Sequence, residues 1–95
     1  MRVRLNQFAR VEAREARQWY SSQSRTQAVA FLAELARVRR TVGRYPEAGL
    51  AASTTHRRFV MDGFPYAVFY RIDGPEVAIV AVAHTSRRPG YWLNR

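Results

Sequence analysis

The sequence predicts one α+β domain over residues 1–95, its elements in the order β-α-α-β-β-β. Two features carry this reading: apolar residues recur at helical spacing through the first half, and short β-branched and aromatic runs separated by Asp, Gly and Pro fill the second.

Residues 2–5 alternate, with Val3 and Leu5 pointing one way and Arg2 and Arg4 the other, which describes a half-buried strand. Asn6 supplies a helix N-cap, and Ala9, Ala13, Ala16 and Tyr20 then form one face of a first helix from residue 7 to about 21. Ser24 and Gln27 have the spacing of a capping box that opens a second helix. Its stripe is Ala28, Phe31, Leu32, Leu35, Val38 and Val42, and it stops between Gly43 and Pro46. So short a break between the helices predicts an antiparallel hairpin.

Residues 47–54 are small and polar and are expected to form a loop, and residues 55–61 a strand. Asp62, Gly63 and Pro65 turn the chain into a strand over 66–72, and Asp73-Gly74-Pro75 turns it again into a strand over 76–84. That last segment is apolar at nearly every position, so it is expected to be interior and covered on both faces. Phe8, Val11 and Trp19 lie off the main helical stripes and, with Val38 of the second stripe, are candidates for a partner surface.

Composition bounds the function. Sixteen basic residues, all arginine, stand against seven acidic ones, a net charge of +9. Such a balance points to a polyanionic or acidic partner, since guanidinium forks suit phosphate and carboxylate alike, although a GC-rich coding bias also favours arginine. The absence of cysteine excludes disulfides, thiol nucleophiles and thiolate metal sites. No histidine or carboxylate spacing suggests a metal and no glycine-rich loop a nucleotide, so no cofactor is expected. The longest apolar run, residues 77–83, is too short to cross a bilayer and no signal-type segment opens the chain, so a cytoplasmic protein is expected.

Several phrases then carry a resemblance: Trp19-Tyr20, Tyr45-Pro46-Glu47-Ala48-Gly49, Arg57-Arg58-Phe59, Phe64-Pro65-Tyr66-Ala67-Val68-Phe69-Tyr70-Arg71, and the closing AVAHTSRRPGYWLNR. In this order the chain resembles the RelE/ParE toxin superfamily over essentially its whole length, closer to ParE-like members. The resemblance implies a helical hairpin packed on a mostly antiparallel four-stranded sheet. It also implies a type II toxin held in a hetero-oligomeric complex by a cognate acidic antitoxin. ParE-like members act on DNA gyrase and are associated with plasmid stabilisation; RelE-like members are ribosome-dependent endoribonucleases that cut messenger RNA.

Cleavage of RNA needs a base for the 2′-hydroxyl, cations for the phosphorane and an acid for the leaving oxygen. With Tyr70 as register mark, Arg58, Arg87 and Tyr91 fall on RelE-like positions, but Val60, Ala67 and Thr85 stand where basic residues are expected. Arg58, Arg87 and Tyr91 are therefore catalytic candidates only if the protein cuts RNA. His84 has the chemistry of a base or acid, yet ParE-like members also carry a histidine there, which favours a structural role. His56 is expected to be solvated. Arg57, Arg58, His84, Arg87 and Arg88 are candidates for binding phosphate or an acidic partner, and Trp19 for a partner contact. Trp92 is expected to close the core. The favoured function is gyrase inhibition without catalysis; the alternative is the endoribonuclease.

Overall fold

The computed structural model describes residues 1–95. Strand β1 (Arg2–Leu5) leads into α1 (Gln7–Gln23) and α2 (Arg25–Arg44), followed by β2 (Leu50–Ala51), β3 (Arg57–Val60), β4 (Tyr66–Asp73) and β5 (Glu76–His84). Asn6 caps α1 by accepting from Ala9 N at 3.0 Å. One residue separates the helices. Ser24 donates its N–H to Tyr20 O and accepts from Gln27 N with its hydroxyl, ending one helix and starting the next. The first helix therefore runs to Gln23, beyond the expected end near residue 21, because the polar serines continue the helix until Ser24 turns extended.

The sheet has five strands in the order β1-β5-β4-β3-β2, one more than expected. The extra strand lies in the segment read as loop: Leu50 pairs with Arg58 and Ala51 with Arg57. Two residues are too few to show a periodicity, and only the cross-strand bonds define them. β1 runs parallel to β5 and the remaining pairs are antiparallel. β5 lies between β4 and β1, the latter pairing with it only as far as Ile79, and its residues from Val77 through Ala83 are all buried, as their unbroken apolarity predicts.

The two helices cover one face of the sheet. Ala9, Ala16, Tyr20, Phe31, Leu35, Val38 and Val42 pack there against Val68, Tyr70, Val77, Ile79 and Val82. Val38 is fully buried rather than left over for a partner, whereas Leu32 is 42% exposed and falls outside the core stripe. Leu32 sits one step around the helix from Phe31 and Leu35, where the sheet no longer reaches. Between Phe69 and Tyr70 the β4–β5 register slips, pairing Phe69 with Ala81 and Tyr70 with Ile79, so Val80 is the extra residue of a bulge. Beyond it the alternation of β5 is reversed, and Val80 and Ala81 both face away from the helices toward the C-terminal segment. Trp92 closes that second face as expected, stacked on Phe69 with ring centroids 4.5 Å apart. No helix is long and apolar enough to cross a membrane.

Candidate functional site

The C-terminal segment, residues 85–95, folds back over the face of the sheet opposite the helices and leaves a cleft beside it. Its floor is low because that face carries Ala67 opposite Ala83 and Ala81 opposite Phe69. The cleft has a volume of about 330 Å³; Arg58 from β3, His84 from β5 and Arg87, Arg88 and Tyr91 from the tail line it, and no lining residue is acidic. Arg58 and Arg88 are exposed, and Arg58, Arg87 and Arg88 have no carboxylate within ion-pair range. The cleft is therefore receptive to an anion.

The fold brings four of the expected binding residues together and leaves two elsewhere. Arg57 is adjacent to Arg58, and successive strand residues face opposite ways. Its Nη1 donates to Gly49 O at 2.8 Å and Glu47 O at 3.3 Å, tying β3 to the loop after α2. Nearby Tyr70 donates its hydroxyl to Pro46 O at 2.7 Å and accepts from Gly49 N at 2.9 Å. A Cβ on Gly49 would lie 2.8 Å from the Tyr70 hydroxyl, so this packing requires glycine. Trp19 is 57% exposed on α1 and shares a helical stripe with exposed Phe8 and Val11.

His84 sits at the mouth of the cleft. Its Nδ1 accepts from Ser86 N at 3.1 Å and lies 2.8 Å from Ser86 Oγ, while its ring meets Tyr66 edge-on at 5.3 Å. The backbone N–H aimed at Nδ1 makes that atom an acceptor, so the neutral ring carries its proton on Nε2. The histidine thus shapes the turn that starts the tail.

Tyr91 donates its hydroxyl to Glu12 Oε2 at 2.7 Å, and its ring lies beneath Arg87, whose Cζ is 4.0 Å from the centroid. Burial, then the hydrogen bond to Glu12, push its phenol up to about 12. Such a phenol, already bonded to a carboxylate, is a poor acid near neutrality.

Sequence reasoning passed over the residues that hold the tail. Glu12 Oε1 accepts from Val82 N at 3.0 Å and from Arg95 Nη1 at 2.7 Å, and that same Nη1 donates to Val80 O at 3.1 Å. These bonds satisfy the edge of β5 beyond the end of β1, which pairs with β5 only as far as Ile79. A single glutamate on a helix has no local signature when its partners lie 70 to 83 residues away. His56 corrects a second expectation: it is buried, not solvated. Its Nδ1 lies 2.8 Å from Thr55 Oγ1 and its ring 4.9 Å from that of Trp92. Burial, reinforced by Arg71, lowers its pKa below the ordinary value for histidine.

The family model described as "ParE toxin of type II toxin-antitoxin system, parDE" matches residues 3–89. The chain belongs to the ParE toxin family. Among solved structures it is similar to one described as "Chromosomal ParDE TA system from P. aeruginosa", at 12% identity and a TM-score of 0.77, over 88% of this chain and 95% of that one. No curated protein matches the chain. The ParE match covers the cleft apart from Gly90 and Tyr91, so the tail anchors Tyr91, Trp92 and Arg95 lie beyond it.

Proposed function

We propose that the protein is the toxin of a cytoplasmic type II toxin–antitoxin pair, that it arrests growth by acting on DNA gyrase, and that a cognate acidic antitoxin holds it inactive. Membership of the ParE family over residues 3–89 carries this reading. The chemistry of the cleft supports a binding role over a catalytic one. It offers guanidinium groups for an anion, while Tyr91 is bonded to Glu12 and the turn already uses Nδ1 of His84. Ala67 and Thr85 bring no cation to the positions where RNA-cleaving relatives are expected to have one.

Purified protein added to a gyrase supercoiling assay is expected to inhibit at micromolar concentration. Full supercoiling at a large molar excess of the protein rules the reading out. The second reading, ribosome-dependent cleavage of messenger RNA, has one observation in its favour: Arg58, Arg87 and Tyr91 line the same cleft. Primer extension after induction separates the two, since cuts at A-site codons that vanish in Arg87→Ala belong only to the endoribonuclease.

A further inference from the structure

A second basic surface lies away from the cleft, along the outer edge of β1. Gly43 makes it possible. A Cβ there would lie 2.9 Å from both Met1 O and Val3 Cγ2, so only glycine lets the end of α2 approach β1 this closely. The N-terminal ammonium donates to Gly43 O at 2.6 Å and fixes the contact. Arg39, Arg40 and Arg44 are thereby carried to the sheet edge, where they line a shallow groove of about 440 Å³ with Met1, Val3 and Gly43 and no carboxylate. From the other helix, Arg10 donates to Leu5 O at 2.9 Å, while Arg39 donates to Val3 O at 3.4 Å. Those carbonyls are two strand residues apart, roughly 6.6 Å, so two like charges are held side by side.

Guarding a free sheet edge accounts for Arg10 and Arg39, which cap its carbonyls. It does not account for Arg40 and Arg44. Both are exposed, and neither forms an ion pair. Holding Arg39, Arg40 and Arg44 around one groove whose lining has no acid, with Arg10 further along the same edge, is unfavourable until an anion neutralises them. The groove is shallow and only Met1 and Val3 among its lining residues are apolar, so it lacks the apolar centre of a protein interface. A continuous line of phosphates meets these demands, since it needs charge and reach rather than depth.

We propose that Arg10, Arg39, Arg40 and Arg44 form a contact surface for the phosphate backbone of duplex DNA, read without regard to base sequence. This surface is separate from the arginine cleft, and the binding does not depend on the gyrase reading.

The test is fluorescence anisotropy with the full chain and a short labelled duplex of mixed sequence, without gyrase. Affinity is expected to fall steeply between about 50 and about 200 mM salt, because each neutralised phosphate releases counterions. Arg10→Gln/Arg39→Gln/Arg40→Gln is expected to weaken binding at least about tenfold and to flatten the salt dependence. Arg58→Gln/Arg87→Gln/Arg88→Gln removes the same charge from the cleft and is expected to cost less than about threefold. Arg40→Gln/Arg44→Gln disturbs no backbone contact and is expected to weaken binding with the fold intact. Equal losses from the edge and cleft triples, or unchanged binding in Arg40→Gln/Arg44→Gln, overturn the proposal. So does a polyglutamate peptide that binds as tightly as the duplex and is lost in the same edge variants, since the surface would then face a protein.

Discussion

His56 shows how one buried side chain makes stability depend on pH. Its ring lies against Trp92 beneath the tail, and burial lowers its pKa below the ordinary 6.5. The unfolded chain therefore takes up a proton first as pH falls, and stability is complete above that ordinary value and lost below it. Melting temperature is expected to drop between pH 7.5 and 5.5, and the drop to shrink in His56→Gln; parallel curves for the two proteins contradict the assignment. Nothing next to His56 in the chain marks it as buried, since Ser53, Thr54 and Thr55 are the residues of a solvated turn. Its cover arrives from Trp92, 36 positions later in the sequence.

At the scale of elements, the C-terminal segment is held mainly by one carboxylate. The side chains of Glu12 and Arg95 keep only 12% and 15% of their exposure, and Glu12 also serves Tyr91 and the backbone of Val82. Removing it leaves the backbone N–H of Val82 without a partner and a mostly buried guanidinium without a counter-charge, bonded only to Val80 O. Glu12→Ala is expected to cost about 3 kcal/mol, the scale for breaking one side of a buried pair. Urea denaturation measures this, and a loss of only a few tenths shows that the tail is held by Trp92 alone. The bulge at Val80 matters to the same element, because it turns Val80 and Ala81 together toward Trp92 and so gives the tail a floor. A run of apolar residues in β5 cannot disclose such a slip, since every register of it is equally apolar.

Over the whole molecule, charge is unevenly distributed. Glu12, Glu34, Asp73 and Glu76 already pair with arginines, so most of the surface is left positive. Beside the open edge of β5 runs the α1 stripe of Phe8, Val11 and Trp19, at 42%, 45% and 57% exposure the main apolar surface of that helix. Exposed aromatic residues of this kind anchor partner segments. On the proposed reading, Trp19→Ala is expected to weaken the cognate antitoxin by about tenfold or more in calorimetry, with the melting temperature nearly unchanged. Unaltered affinity places the antitoxin on another surface.

What could be read locally was the succession of elements. Helical spacing, the Asn6 and Ser24 caps, the Asp-Gly-Pro turns and the unbroken apolarity of β5 are each contained within a few consecutive residues, and the phrases around Tyr70 and the tail pointed to the toxin superfamily now supported by the family match. Which residues of the second half meet was decided only in three dimensions. Arg58, Arg87 and Arg88 share a cleft while Arg57, one residue from Arg58, turns to the other face; β2 exists only because β3 lies beside it. Glu12 becomes an anchor only because α1 passes the open edge of β5. Local propensity depends on neighbours in the chain, whereas burial, pairing and pKa depend on neighbours in space, and in this fold those lie tens of residues away.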